Sequence, residues 1–425
     1  MTQQSITSSR NRKATGTGDR GQVSLLLCAF LAGLATRSVT ADTPDDPQLQ
    51  QHALGAEIFA AHWTFTNTPG AAKFRASSPL FNVNSCSTCH PGGGGGIGPT
   101  GNGAAPEALE IQLATPAATE SNTAGERDPP GDPVYGHVFN TSAANGFAPE
   151  GTVLVHYSEK VGYYYPDGTR WHLRRPTYEL TQLTRGPLAA KTVIKPRLAP
   201  QLRGAGLLEL ATPETGFGWQ GSSRDIREQT AKAFSREMGV SSPDMPRDDC
   251  TAAETDCLQQ HNVSAPGVSA DQFAGVVEFV RAFPPPTPAT QPDDTSLGSQ
   301  LFTSAGCPKC HLPALSIRTV AADGRAATTS ISPYTDLKLH DLGKEMADQD
   351  TSGRTVASRW RTAPLWGMSY RAGPTASATL LHDGRARSIE EAILWHGGEA
   401  DFSRANFAHL GPRSRKALLE WVSTL

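Results

Sequence analysis

Cys86-Ser87-Thr88-Cys89-His90 and Cys307-Pro308-Lys309-Cys310-His311 are the residues of this chain best arranged to do chemistry. Two thiols three positions apart, with an imidazole directly after the second, can add across the two vinyl groups of a haem while the histidine turns onto the iron as its proximal ligand. Paired cysteines also build zinc knuckles and redox dithiols. Two copies that both carry the histidine leave that residue without a role in either alternative. The spacing therefore predicts two covalently bound c-type haems, with His90 and His311 on iron.

The chain has 425 residues, 38% of them apolar and 19% charged, enough to build two cores around such groups. Its net charge of −3 offers no basic face, which argues against a nucleic-acid partner. Arg10, Arg12, Lys13 and Arg20 precede an apolar run over residues 23–34, and Val39-Thr40-Ala41 offers a small-residue cleavage site before Asp42. Residues 1–41 thus read as a cleaved signal peptide and the mature chain as periplasmic, with no membrane span; the alternative, an uncleaved anchor helix, would have to span with a short apolar run. Cys28 lies in that run, and Leu27 before it argues against lipidation. Beyond the haem motifs, Cys250 and Cys257 remain, and in an oxidising compartment they read as a small disulfide.

Several elements must position the motifs. Helical spacing is expected over residues 46–59, 223–238 and 270–283. The glycine run from Gly92 to Gly96 reads as a flexible loop passing close to something. Residues 133–184 change character: Val153-Leu154-Val155-His156-Tyr157, Gly162-Tyr163-Tyr164-Tyr165 and Trp171-His172-Leu173 are β-prone runs, with Pro166-Asp167-Gly168 as a turn. His137, His156 and His172 are read there as strand or surface histidines. Pro284-Pro285-Pro286, Pro288 and Pro292 make an extended spacer. Residues 42–290 are accordingly expected to form one haem domain and 291–425 a second. Arg197-Leu198-Ala199-Pro200-Gln201-Leu202 returns as Arg361-Thr362-Ala363-Pro364-Leu365, each copy downstream of its own motif and followed by a helix carrying Glu228 or Glu391. The expected fold is mainly α: two cytochrome c-like haem domains, with an antiparallel β insertion in the first.

The two motifs, together with Pro333-Tyr334-Thr335-Asp336-Leu337, Trp360 to Gly367, Leu381-His382-Asp383-Gly384-Arg385-Ala386 and Ile393 to Ala400, resemble the dihaem oxidoreductase family, also labelled thiol oxidoreductases. That family is similar in turn to bacterial dihaem cytochrome c peroxidases. The resemblance implies that the His311 haem is an electron port and that the distal ligand position falls on His396; a second imidazole in place of a thioether lowers the reduction potential. It also implies that Phe217, Trp219, Gln229 and Glu237-Met238 surround the first haem. Glu237 would then be the base that moves a proton in peroxide cleavage, Gln229 would orient the peroxide, and Trp219 would relay electrons between the haems. Met238 as a sulfur ligand to the first haem is the competing arrangement.

Two departures are visible. Lys195-Pro196 stand where those peroxidases carry a removable distal histidine, and Arg203-Gly204 replace an asparagine that serves a calcium ion. Both gating by ligand loss and calcium dependence are therefore left open. The expected partners are a redox protein such as a small cytochrome c or a cupredoxin, and peroxide or another small oxidant. The other readings are a dihaem enzyme oxidising a protein or organic substrate, and a non-catalytic electron carrier. The thiol label finds no spare cysteine to support it.

Overall fold

The strand Leu109–Ala114 is where the architecture first departs from that expectation. Its sequence alternates, with Leu109, Ile111 and Leu113 buried and Glu110 and Gln112 on the other face, the period-two pattern of a half-buried strand. It pairs antiparallel with Val193–Leu198, placing Glu110 opposite Arg197 and Gln112 opposite Lys195. Asp348–Asp350 adds to the far side of Val193–Leu198, and Thr355–Ala357 adds to Asp348–Asp350, completing a four-stranded sheet. Residues from both sides of the proline-rich stretch thus share one sheet.

This computed structural model describes residues 46–425, apart from 67, 69–70, 116–128, 212–215, 261–266, 289–290, 321–324 and 372–378. The leader, its cleavage site and Cys28 lie outside the described residues. Among the described residues no helix is long and apolar enough to cross a membrane.

The chain is 30% helical and 22% strand, with several sheets. The expected mainly α pair of cytochrome c-like domains is therefore incorrect. The error has a physical origin: strands are expected only in the 133–184 insertion, whereas short alternating segments outside it, such as Leu109–Ala114, bury only one face and leave a weak signal. Residues 45–425 make one compact unit.

An antiparallel ribbon does occupy part of the 133–184 region: Thr152–Tyr164 pairs with Arg170–Thr181 around a turn at Pro166-Asp167-Gly168. Its tip reaches the last third of the chain. Tyr165 Oη donates to Glu390 at 2.7 Å, Asp167 accepts from Arg415 at 2.6 Å, and the Arg174 backbone N–H donates to Glu391.

Two apolar clusters hold the motifs. Around the first, helix Pro47–Ala60 packs against Ala270–Arg281. They cross at Gly55, where a Cβ would lie 2.1 Å from the Gly275 carbonyl oxygen, so only glycine permits this approach. Around the second, Leu297–Ser304 packs beside Pro412–Val422, with Phe302, Tyr334 and Trp421 in mutual ring contact. The Cys250–Cys257 disulfide forms as expected, closing a seven-residue separation.

Candidate functional site

Each motif histidine is oriented through its inner nitrogen. His90 Nδ1 is 3.3 Å from the Gly94 carbonyl oxygen, and His311 Nδ1 is 3.0 Å from that of Tyr334. A carbonyl can only accept, so each Nδ1 carries the proton and Nε2 keeps its lone pair. Burial lowers both imidazoles to about 4, which keeps them neutral. His396 is arranged alike: its Nδ1 donates to the Ala392 carbonyl at 2.7 Å, and burial lowers it too.

His311 and His396 face each other with ring centroids 6.4 Å apart. Two imidazole nitrogens each about 2 Å from one metal, with ring centres about 1 Å beyond them, would sit about 6 Å apart. The gap fits one metal atom bonded to both.

The four motif cysteines are free, while Cys250 and Cys257 are spent on each other. Burial pushes Cys86 up to about 12 and Cys307 and Cys310 up to about 11. The glycine run after His90 is closely packed: Gly93 has φ +74°, and a Cβ there would meet the Phe283 ring at 2.6 Å. The run thus passes close to other parts of the chain, as its lack of side chains implied. The carbonyl of Gly93 also accepts from the backbone N–H groups of Leu202 and Arg203.

A single cavity of about 410 Å³ is lined by both motifs, by His396, and by Trp219, Gln229 and Glu237. All ten residues singled out from sequence therefore border one space. Trp219 commits its indole N–H to the Leu198 carbonyl at 2.8 Å, so it presents its ring. The Gln229 side-chain oxygen accepts from Ser223 at 3.0 Å. Glu237 closes the π-helical turn Ala233–Glu237, a widened turn often found at functional sites. Met238, the competing ligand, turns into the core: it is 3% exposed, accepts from Cys86 Sγ at 3.8 Å and is not among the cavity residues.

Two features test whether haem suits this cavity. Arg361 and Arg371 line it half-buried, donating to the carbonyls of Gly216 and Thr379 at 3.3 Å each, and desolvation lowers both guanidinium pKa values. Neither forms an ion pair among the described residues. A desolvated guanidinium without a counter-charge is costly, and the propionate groups of a haem are anions of the right kind. The second feature is the donor set, three neutral imidazoles and four thiols around an apolar wall.

The structure also exposes a repeat deeper than the sequence reading found. An isolated bridge closes Phe217 onto Ser223, and another closes Leu380 onto Ala386 with the same spacing. After each comes an arginine, a capping residue and a helix. Arg224 donates from its backbone N–H and Nε to Glu228 at 3.0 and 2.8 Å; Arg387 does the same to Glu391 at 2.8 and 2.8 Å. Asp225 caps Ile226–Lys232, and Ser388 caps Ile389–Trp395. In this register Trp219 corresponds to His382, and the two rings meet edge to face at 6.5 Å. Most consequentially, the residue ending the second helix is His396, and the residue ending the first is Ala233.

Sequence reading missed Glu110, Gln112, Ala233, Arg361, Arg371 and His382 as site residues. The alternation of residues 109–114 carried a signal for the first two, and the shared pattern of glycine, two residues, arginine, one residue, isoleucine, one residue and glutamate carried one for Ala233.

Bound between such histidines, a redox-active metal macrocycle makes this class of site an oxidoreductase centre. Residues 212–425 match the family described as "Di-haem oxidoreductase, putative peroxidase", half of the chain, and the chain belongs to that family. It is thus an oxidoreductase that works with haem. No curated protein matches it. A solved structure with some likeness is hydrazine synthase from Kuenenia stuttgartiensis under 20 bar xenon: 14% identity, 54% of this chain and 73% of that chain covered, TM-score 0.34, too slight a likeness to carry an argument.

Proposed function

We propose that the chain is a periplasmic, peroxidase-like dihaem oxidoreductase. Two c-type haems are attached through Cys86 and Cys89 and through Cys307 and Cys310, with His90 and His311 as proximal ligands. His396 would be a further ligand for the second haem. A small redox protein, a cytochrome c or a cupredoxin, would supply electrons to that haem, and the first would serve the reduction of peroxide.

The observation that carries this reading is the asymmetry of the repeat: the helix end that bears an imidazole beside His311 bears only a methyl group, Ala233, in the first copy. His90 would hold the iron of the first haem, and Ala233, with no ligating atom, would leave room there for a small oxidant. When bound, haem supplies electrons and a Lewis-acidic iron for the near oxygen of peroxide. The chain's residues do the rest. Phe217, Phe234 and Ile226 among the lining exclude water, Gln229 offers an amide N–H₂ to orient the oxidant, and Glu237 moves a proton between its oxygens. Trp219 presents its ring beside His382 between the two motifs.

The test combines a spectrum with a variant. The ferric holoprotein should show a high-spin component from the first haem, and Glu237→Gln should slow its reaction with peroxide by about 100-fold or more with both haem spectra intact. Two purely low-spin signals would point instead to an electron carrier, and unchanged kinetics would remove Glu237 from the chemistry.

A further inference from the structure

Glu237 does not stand alone in the cavity wall. Its carboxyl is within hydrogen-bonding reach of the Glu110 carboxyl, which arrives from the strand Leu109–Ala114. Both side chains border the cavity with His90. Glu110 Oε1 accepts from Gln112 Nε2 at 2.6 Å, while its Oε2 is buried without a hydrogen-bond donor. Two carboxylates side by side, one with an orphan oxygen, lack a donor between them. A proton is the smallest donor that satisfies both.

The charges around the pair do not replace that proton. Arg197 lies opposite Glu110 in the sheet, but its guanidinium forks onto Asp348 at 2.8 and 2.6 Å. Arg236 contributes positive charge near both carboxyls. The thiols of Cys86 and Cys89 feel Glu237, and Glu107 adds further negative charge at Cys89. Glu237 is fixed from behind, since its backbone carbonyl accepts from the Asn82 and Val83 N–H groups at 2.7 and 3.3 Å.

We propose that Glu110 is a positioning residue for the reaction at the first motif, holding one proton in common with Glu237. This rests on the peroxidase-like reading above and deepens it. The pair then carries one proton and one negative charge, so it can take a proton and give one in the same event. The near oxygen of hydrogen peroxide passes its proton to the pair as the far oxygen receives the proton that Glu237 held. The O–O bond breaks with its electron pair on the far oxygen, which leaves as water, and the haem held at the first motif would supply the two electrons the near oxygen then lacks. Two electrons from the redox partner would restore that haem, two protons from solvent would take the near oxygen to water, and the pair ends with the proton count it began with. Burial, and then the neighbouring Glu110 carboxylate, hold Glu237 well above the usual carboxylate range; burial raises Glu110 as well. Glu237 thus enters as an acid with a base beside it, not as the bare carboxylate that the sequence implied.

The test uses the full holoprotein and compares wild type with Glu110→Gln, Glu110→Asp and Glu237→Gln. Infrared spectra against pH read the carbonyl stretch of a protonated carboxyl. The buried Glu150 and Glu254 side chains form a second such pair, so the relevant band is the one lost in Glu237→Gln. Glu110→Gln should lower the pH at which that band disappears by about one unit or more, move the corresponding limb of the pH profile of peroxide reaction by the same amount, and leave the haem spectra unchanged. Glu110→Asp should restore part of both shifts. If Glu110→Gln moves neither band nor profile while Glu237→Gln still loses rate, the pairing is wrong and the peroxidase-like reading stands. If Glu237→Gln retains full rate, Glu237 leaves the chemistry and the pairing falls with it; the peroxidase-like reading itself falls only if the ferric protein shows two purely low-spin signals.

Discussion

The two copies of the bridge-arginine-helix unit are built alike and end differently. In both, an arginine folds back onto a glutamate three residues into a capped helix; the first then ends in Ala233 and runs into a π-helical turn, the second ends in His396. On the function proposed above, a shared scaffold would give one closed and one open metal position through a single side chain. The surroundings differ in the same sense. Around the second copy the glutamate is buried and tied to the ribbon, while around the first it is half-exposed and tied only locally.

Exchanging the end residues should break this comparison most sharply. Ala233→His should convert the first haem to a low-spin, six-coordinate form and abolish peroxide reduction, while His396→Ala should add a second high-spin signal; both are read by EPR of the ferric protein. If Ala233→His leaves the high-spin signal in place, the repeat does not govern ligation. The next largest effect concerns the glutamates. Glu391→Ala empties a buried site and leaves the buried Arg174 N–H without its acceptor, and should cost about 2–3 kcal/mol, whereas Glu228→Ala, whose carboxylate is partly exposed beside an exposed Arg224, should cost about 1 kcal/mol. Denaturant melts of the two variants measure the difference.

The smallest effect lies at the ribbon tip. The hydrogen bond from Arg415, with those from Thr169, lowers Asp167 to about 2. A depressed carboxylate stabilises the fold at pH above its unfolded value of about 4, and that contribution fades as pH falls through about 2. Asp167→Asn should therefore lower the Tm slightly at neutral pH and converge with wild type near pH 2; a constant gap would show that the contact is not electrostatic.

How much of this was legible beforehand depended on how local each signal was. The motifs were, because two cysteines and a histidine at fixed spacing are written in adjacent residues, and so was the ribbon, because a turn between β-prone runs is written the same way. His396, Trp219, Gln229 and Glu237 came from family likeness, and the structure places them around one cavity without their roles having been tested. Glu110 was not legible, since its meaning comes from Glu237, which reaches it only through the fold. The four-stranded antiparallel sheet was also hidden: Val193–Leu198 finds Asp348–Asp350 across more than a third of the chain, and alternation in a strand names a face but no partner. The mainly α expectation failed for that reason. The unmatched Arg361 and Arg371 could be recognised only once burial was known.

The sheet has a consequence for how the protein is made. Its central pairing joins Val193–Leu198 to Asp348–Asp350, and contacts so far apart in sequence form late, after the chain entropy of a long loop has been overcome. Until then the strand carrying Glu110 and the walls contributed by residues 340–404 are not joined through this sheet, and the chamber stands open along that side. On the function proposed above, two broad, flat cofactors would enter more easily through such an unfinished wall than through the mouth of the completed one. Loading and closure would then be ordered in time, and a chain deprived of haem should stall as a half-assembled, protease-sensitive species.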